Sequence, residues 1–448
     1  MSCEHLISEA NEDYYRVWRS KGDHHHLVCE PCFEHHYGVD GASEEPVEID
    51  VSQLYEICEV CWGYLVQEHR FYGSKGKLTV LDAKPPCSFE VEDLGNWRLP
   101  FSLPEKLALA PCQDGKGCYM LDAEHNLWFV SEDLTFLVFE HASSNVEFAK
   151  DWAMIAGPSP CGKYIAVCER RGSRGYVVGL DGGEVMMELD RGDYHPEQTD
   201  FPVVFFTHRE ETRVAHGTEW NRIDVSDPAT GACLTEREPE LGEDERPIDE
   251  HYIDFFHGPL HVSPDQKWIV TDGWVWQPVA VVSTWNLERW LEENVWEAET
   301  GESRQDLGGL VGEDWGWPLC FLDNDTVASW GIRSNLEQLE MPGITLVSTK
   351  TWQEAGFIGA DLHGCHSLHP WEGNLVAAST NGVSVFSPQT GERLLHLPDV
   401  RSDAFCPEHG IFFRVVQDTL TLRRTNILYP GDADKERSTE GAPENENQ

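Results

Sequence analysis

The chain has 448 residues, with 33 lysines and arginines against 79 aspartates and glutamates, a formal net charge of −46 at pH 7. A surface this acidic repels phosphate backbones and anionic lipid, which excludes direct nucleic-acid binding and attachment to a membrane surface. The hydrophobic fraction of 40%, with 17 Trp, 19 Phe and 12 Tyr, is ample for a large core, so the charge does not mark an unfolded chain.

The first residues have neither the basic start nor the apolar stretch of a secretory signal. No run of about 18 apolar residues follows, so no membrane span is expected. The expectation is a soluble cytoplasmic protein, whose 14 cysteines are reduced thiols and metal ligands rather than disulfides.

Residues 1–72 differ in composition from the rest and carry Cys29-Glu-Pro-Cys32 and Cys58-Glu-Val-Cys61. Each Cys-x-x-Cys pair forms a tight knuckle, and four thiolates at about 2.3 Å fill the tetrahedral shell of zinc. The segment resembles a zinc ribbon, which puts Cys29, Cys32, Cys58 and Cys61 on the four ligand positions. The 25 residues between the pairs exceed the usual interval of about 15 to 20, and the surplus loops out around Gly41. A filled four-thiolate shell leaves no position for water or substrate, so this zinc is structural. The histidines at His5, His24 to His26, His35 and His36 read as solvated, with the alternative that one replaces a cysteine or helps to hold a second ion. Four basic against fifteen acidic residues make the module a protein-docking or fold-stabilising knob rather than a nucleic-acid reader.

From residue 73 to 430 one pattern recurs: a turn rich in Pro, Asp and Gly between two short β-rich segments. Its copies begin near Cys112, Ser159, Thr207, Ser263, Leu322, His369 and Cys406. After most of them a second hairpin follows, around Leu180, Ser226 or Ser387, so each repeat supplies four strands. Seven four-stranded units resemble the WD40-like β-propellers, and the resemblance covers about four-fifths of the chain. The Trp-Asp dipeptide of that family is missing, with Leu180-Asp181, Ile223-Asp224 and Trp285-Asn286 at the corresponding strand ends. The expected fold is therefore all-β, a seven-bladed propeller, with six or eight blades as alternatives. The segment Lys77 to Asp82 is expected to complete the last blade and close the ring.

Two insertions break the period. Residues 236–250 hold eight acidic and two basic side chains with Pro239 and Pro247, which reads as a solvated loop. In residues 286–313, Leu287, Trp290, Leu291, Val295 and Ala298 recur at helical spacing behind Asn286 as N-cap, a helix whose apolar stripe packs on the side of the propeller. The tail, 431–448, has no large apolar residue and is expected to be disordered.

Six repeats enter their first strand through an aspartate: Asp151, Asp200, Asp254, Asp314, Asp361 and Asp403. First strands lie nearest the axis, so these carboxylates are expected to ring one mouth of the channel and to receive a cation, a Lys/Arg-bearing peptide or a basic protein. The alternative is that each aspartate caps its own turn. The bulky residues after them read as inter-blade core.

Catalytic signals are weak. His363, Cys365, His366 and His369 crowd one strand and turn, with His257 and His261 in a comparable place two blades earlier, but strand alternation sends His363 and Cys365 to one face and His366 to the other. No nucleophile elbow, phosphate loop or dinucleotide fingerprint occurs in a suitable setting. The reading is a non-catalytic interaction scaffold or regulatory subunit that presents acidic surfaces to a basic protein partner. The alternatives are a metal-dependent propeller hydrolase using axial Asp and His residues, and acidity that reflects a salt-rich habitat.

Overall fold

The computed structural model describes residues 88–428 except 150–151, 238–250, 277–278, 313–314, 336–337, 361 and 363, together with four short strands at 15–19, 25–29, 70–73 and 78–80. Seven antiparallel sheets make up a seven-bladed β-propeller with few helices. The innermost strands begin at Leu109, Ala153, Val203, Leu260, Leu319, Ser367 and Ala404, and they define blades 1 to 7 in chain order.

Every one of the seven recurring turns joins the first and second strands of a blade. Their chemistry is local. Ser159 Oγ accepts from Tyr164 N at 3.0 Å in blade 2, and Ser263 Oγ accepts from Trp268 N at 2.9 Å in blade 4. Gly162 occupies the left-handed region in the first of these turns (φ 71°), where a side chain would be strained. Because neighbouring strands in each blade are antiparallel, the connections between blades and those between second and third strands emerge on one face, here called the upper face. The recurring turns lie on the lower one.

The ring closes at blade 7. Its strands Ala404–Cys406, Ile411–Val416 and Thr419–Leu428 are joined by Ser88–Arg98, which pairs with the third from Thr419↔Arg98 to Leu428↔Ser88. This corrects the expectation for Lys77 to Asp82. Leu78–Val80 instead pairs with Arg70–Gly73, which extends the outer edge of blade 5 next to Gln353–Gly359. Both candidates are short and β-rich, but only the eleven-residue Ser88–Arg98 matches the long third strand of blade 7.

The core lies between blades, where inward side chains of adjacent sheets meet. Between blades 3 and 4, Phe206, Ile223, Ile269 and Trp285 pack with Leu287 and Trp290 of α1 (Leu287–Glu292) and Ala298 of α2 (Glu297–Thr300). Asn286 caps α1 by accepting from Arg289 N at 2.9 Å, and Trp290 Nε1 donates to the Val295 carbonyl across the break between the two helices. The insertion thus fills the core beside blade 3, and truncating Trp290 would cost about 3–5 kcal/mol.

Arg237 departs from the sequence reading of 236–250 as solvated. It is buried, and its guanidinium bonds both Asp224 of blade 3 and Glu299 of α2. A charge count along the chain cannot distinguish a solvated arginine from one that closes an internal ion pair. Residues 238–250 and the tail from 429 lie outside the described residues.

Candidate functional site

On the upper face, the loop between blades 2 and 3 is organised by one buried cation. Arg191 donates to the carbonyls of Gly172 (2.9 Å), Pro196 (2.6 Å), Thr199 (2.8 Å) and Asp200 (3.3 Å), and its guanidinium lies over Phe201 at 5.2 Å. Burial lowers its pKa to about 10, which leaves it charged at neutral pH. Charged donors make the stronger hydrogen bonds, so these contacts fix the loop as a rigid scaffold. Thr199 Oγ1 donates to the His257 carbonyl at 2.7 Å and ties this loop to the next one.

The fixed loop holds Tyr194 outward, 50% exposed, against rings from three other upper-face connections. Tyr194 stands 5.1 Å from Trp220, 6.2 Å from Phe256 and 6.4 Å from Trp276. Phe256 is the buried floor, 4.7 Å from Trp220 and 4.9 Å from Trp274. Trp276 is 49% exposed, and Tyr252, 6.2 Å from Trp220, is 56% exposed. Between them a shallow cleft is lined by Arg191, Gly192, Tyr194, Pro196, Trp220 and Phe256. Exposed aromatic rings grouped on a rigid base are what interfaces use, because they supply contact area at little entropic cost.

The rim is acidic. Asp254, between Tyr252 and Phe256 in the chain, is exposed, as is Glu219 next to Trp220. Asp193 is held by Ser173 Oγ at 2.8 Å, and Glu197 pairs with His195 at 3.1 Å. The cluster is braced from behind by Trp315, which lies 5.4 Å from Trp274 and donates from Nε1 to the Gln198 carbonyl at 2.6 Å. Asp272, in the second strand of blade 4, accepts from Gly316 N at 2.6 Å and Trp317 N at 3.0 Å, which anchors the loop that carries Trp315. Burial raises the Asp272 pKa to about 7 against the opposing effect of those two donors.

Of the six recurring aspartates, Asp151, Asp314 and Asp361 lie outside the described residues. The other three differ from one another. Asp200 is paired with Arg170 (2.8 Å) and Arg171 (3.3 Å), and both guanidiniums sit over the Trp152 ring. Asp403 accepts from Val415 N at 2.7 Å and pairs with Arg414. Of these three only Asp254 is an exposed carboxylate, and it stands in the same loop as Tyr252 and Phe256 of the aromatic cluster. Phe201 and Phe255, which follow two of these aspartates, are buried as inter-blade core.

His261 and His366 lie near enough to His369 to add to its depression by burial, but among the described residues the group does not form a metal site. His366 Nε2 is bonded to the Ser402 carbonyl at 2.8 Å, whereas His369 and His261 are held down to a pKa of about 4 by burial. Burial and Arg304 depress His257. Burial pushes the Cys365 thiol up to about 12, and His363 is outside the described residues. Among the described residues no three His, Cys, Asp or Glu side chains gather as a metal site, and no helix is long and apolar enough to cross a membrane. Of the expected zinc ligands, Cys29 ends the strand His25–Cys29. Cys32, Cys58 and Cys61 lie outside the described residues.

The aromatic cluster escaped the sequence reading because its members come from separate loops. The available signal was the placement of bulky rings beside turn residues, in Asp193-Tyr-His-Pro196 and Glu219-Trp-Asn221, where a core residue is not needed.

No family model matches the chain, and no curated protein matches it. Among solved structures, Kuenenia stuttgartiensis hydrazine synthase is similar with a TM-score of 0.47 and 12% identity, covering 73% of this chain and 96% of that one. The structure of U3-55K is similar with a TM-score of 0.47 and 11% identity, covering 75% of this chain and 98% of that one.

Proposed function

We propose that this protein is a non-catalytic interaction scaffold or regulatory subunit whose upper face holds a Lys/Arg-bearing segment of a basic protein partner. One observation carries the reading: Tyr194, Trp220 and Trp276, from three separate loops, meet over Phe256 on a base fixed by Arg191, with Asp254 exposed beside them in a chain of net charge −46. A lysine or arginine laid over such rings gains cation–π energy of about 0.5–2 kcal/mol per contact. The carboxylates favour that cation over an apolar side chain, and the chain's field speeds encounter with a positive partner.

In this reading Asp254 is the carboxylate of the expected aspartate set that acts directly, and Asp200 and Asp403 shape the face through their arginines. Cys29, Cys32, Cys58 and Cys61 hold a structural zinc that stabilises the N-terminal module, and the protein works in the cytoplasm. The test is titration of the full chain with a fluorescent peptide of alternating lysine and arginine. Trp276→Ala and Tyr194→Ala should each weaken binding about tenfold with an unchanged thermal midpoint. Equal affinity in wild type and both variants would remove this face from the proposal.

A further inference from the structure

The outer edge of blade 1 differs from the other outer edges. A strand at a sheet edge has unpaired N–H and C=O groups, and folded proteins protect such edges with charge, brevity or a covering segment. Blade 2 ends on Glu184–Asp190 with exposed Glu184, Glu188 and Asp190, and blade 7 on Ser88–Arg98 with exposed Glu92 and Asp93. Blade 4 ends on a strand with Asp306, blade 6 on one with Arg393 and His396. The outer strand of blade 5 is covered by Arg70–Gly73 and then by Leu78–Val80, an edge of only three residues, and the edge of blade 3 by Leu234 N donating to the Val225 carbonyl and Thr235 Oγ1 accepting from Val225 N. Blade 1 ends on Thr135–Phe139, Thr-Phe-Leu-Val-Phe, with no charged residue.

On that edge Leu134 is 54% and Phe136 43% exposed, and Leu137 is exposed beside them. Phe136 is steadied by Phe129, 5.3 Å away on the neighbouring strand. Gly183 in the outer turn of blade 2 is close enough to Val138 that an added Cβ would lie 2.5 Å from its carbonyl oxygen. The open stretch is therefore Leu134 to Leu137. Exposed carboxylates flank it, Glu132 and Asp133 before it and Glu140 after it.

We infer that this edge is a second docking surface, which takes an extended segment of a partner protein as a fifth strand of blade 1, with apolar residues at alternate positions and lysine or arginine at both ends. Main-chain hydrogen bonds supply affinity in such strand addition, and the side chains at alternate positions supply selectivity. Phe136 and Leu137 are apolar platforms on opposite faces of the strand, the alternate apolar residues of the segment engage one of them, and the flanking carboxylates select the basic ends. Charge excludes a second copy of this chain: antiparallel pairing of two such edges would set Glu132 and Asp133 of one against Glu140 of the other, between molecules of −46 each.

The test uses the full-length protein and a blocked peptide of alternating valine and threonine with two lysines at each end. Its control is the same peptide N-methylated at alternate residues, which cannot complete a ladder. The expected result is slowed amide exchange across residues 135–137, no binding by the N-methylated peptide, and at least tenfold weaker binding for the double variant Phe136→Ser, Leu137→Ser with an unchanged thermal midpoint. Tyr194→Ala should leave this binding intact, which separates the edge from the upper-face cluster. Equal binding of the N-methylated peptide, unchanged exchange at 135–137, or a dimer that Phe136→Ser abolishes would each overturn the inference.

Discussion

Arg237 bonds Glu299 across the gap between blade 3 and the helical insertion that follows the third strand of blade 4, both side chains being almost wholly buried. The same guanidinium bonds Asp224, which also takes Arg222 at 2.9 Å, and it lies 5.1 Å over the Trp296 ring. Burial pushes Asp224 up, but Arg237, Thr218, Arg222 and Thr235 outweigh it and hold the carboxyl below its usual range. For Glu299, burial outweighs Arg237 and the carboxyl stays raised. One buried arginine thus joins two carboxylates of unequal strength and clamps the insertion to the propeller.

Removing that clamp leaves two buried carboxylates with less compensation. Arg237→Ala is expected to destabilise the protein by about 3–5 kcal/mol in urea denaturation. Arg237→Met combined with Glu299→Leu, which removes a cation and an anion together, should cost markedly less. A loss below about 1 kcal/mol for the single variant would show that the pair is not the clamp described.

Arg191 is buried beneath the cleft and acts in the proposed reading by fixing the loop that presents Tyr194. Arg191→Lys keeps the charge but cannot reach four carbonyls from one planar fork. It should weaken the lysine–arginine peptide several-fold, and amide exchange should quicken across 191–200 while the blade strands keep their protection. Unchanged exchange in that loop would show that the guanidinium does not hold it.

Asp272 gives the stability a pH dependence of known sign. The folded protein keeps its proton up to about pH 7, while the unfolded chain releases it near the ordinary value of 3.8. Between these values the folded state binds more protons, so the contribution of this group is full below pH 3.8 and is lost as pH rises to about 7. Asp272→Asn, whose amide oxygen still accepts from Gly316 and Trp317, removes that loss. The variant should gain on the wild type as pH rises from 5 to 8, by at most about 3 kcal/mol. His261 and His369, held down by burial, act oppositely at acid pH in both proteins, so the difference between the two melting curves isolates Asp272. A constant difference from pH 5 to 8 would contradict this.

For the N-terminal cysteines, the expected zinc content is about one ion per chain. Cys29→Ser and Cys58→Ser should each abolish it by elemental analysis. Zinc that persists in both variants would place the metal elsewhere.

The blade repeat was legible because turn chemistry is local: Ser159 and Ser263 cap their own hairpins with bonds to residues five positions on, and sequence displays that directly. The α1 cap at Asn286 was legible for the same reason. Ring closure was not, because Leu78–Val80 and Ser88–Arg98 look alike until the length of Thr419–Leu428 selects between them. The aspartates show the limit of periodicity. Asp200 and Asp403 recur at equivalent places, but whether each carboxylate faces solvent depends on Arg170, Arg171 and Arg414, which no repeat predicts. Tyr194, Trp220 and Trp276 are far apart in the chain and meet only through the loop that Arg191 folds.

The most direct measurement is the affinity of the full chain for two peptides of identical length, one alternating lysine and arginine and the other with glutamate at every basic position, from about 50 to 500 mM salt. Screening shortens the reach of charge from about 14 Å to about 4 Å over that range. The account predicts binding of the basic peptide alone, weakening steeply with salt and lost further in Trp276→Ala. Equal binding of both peptides, or an affinity for the basic one that salt does not change, would contradict it.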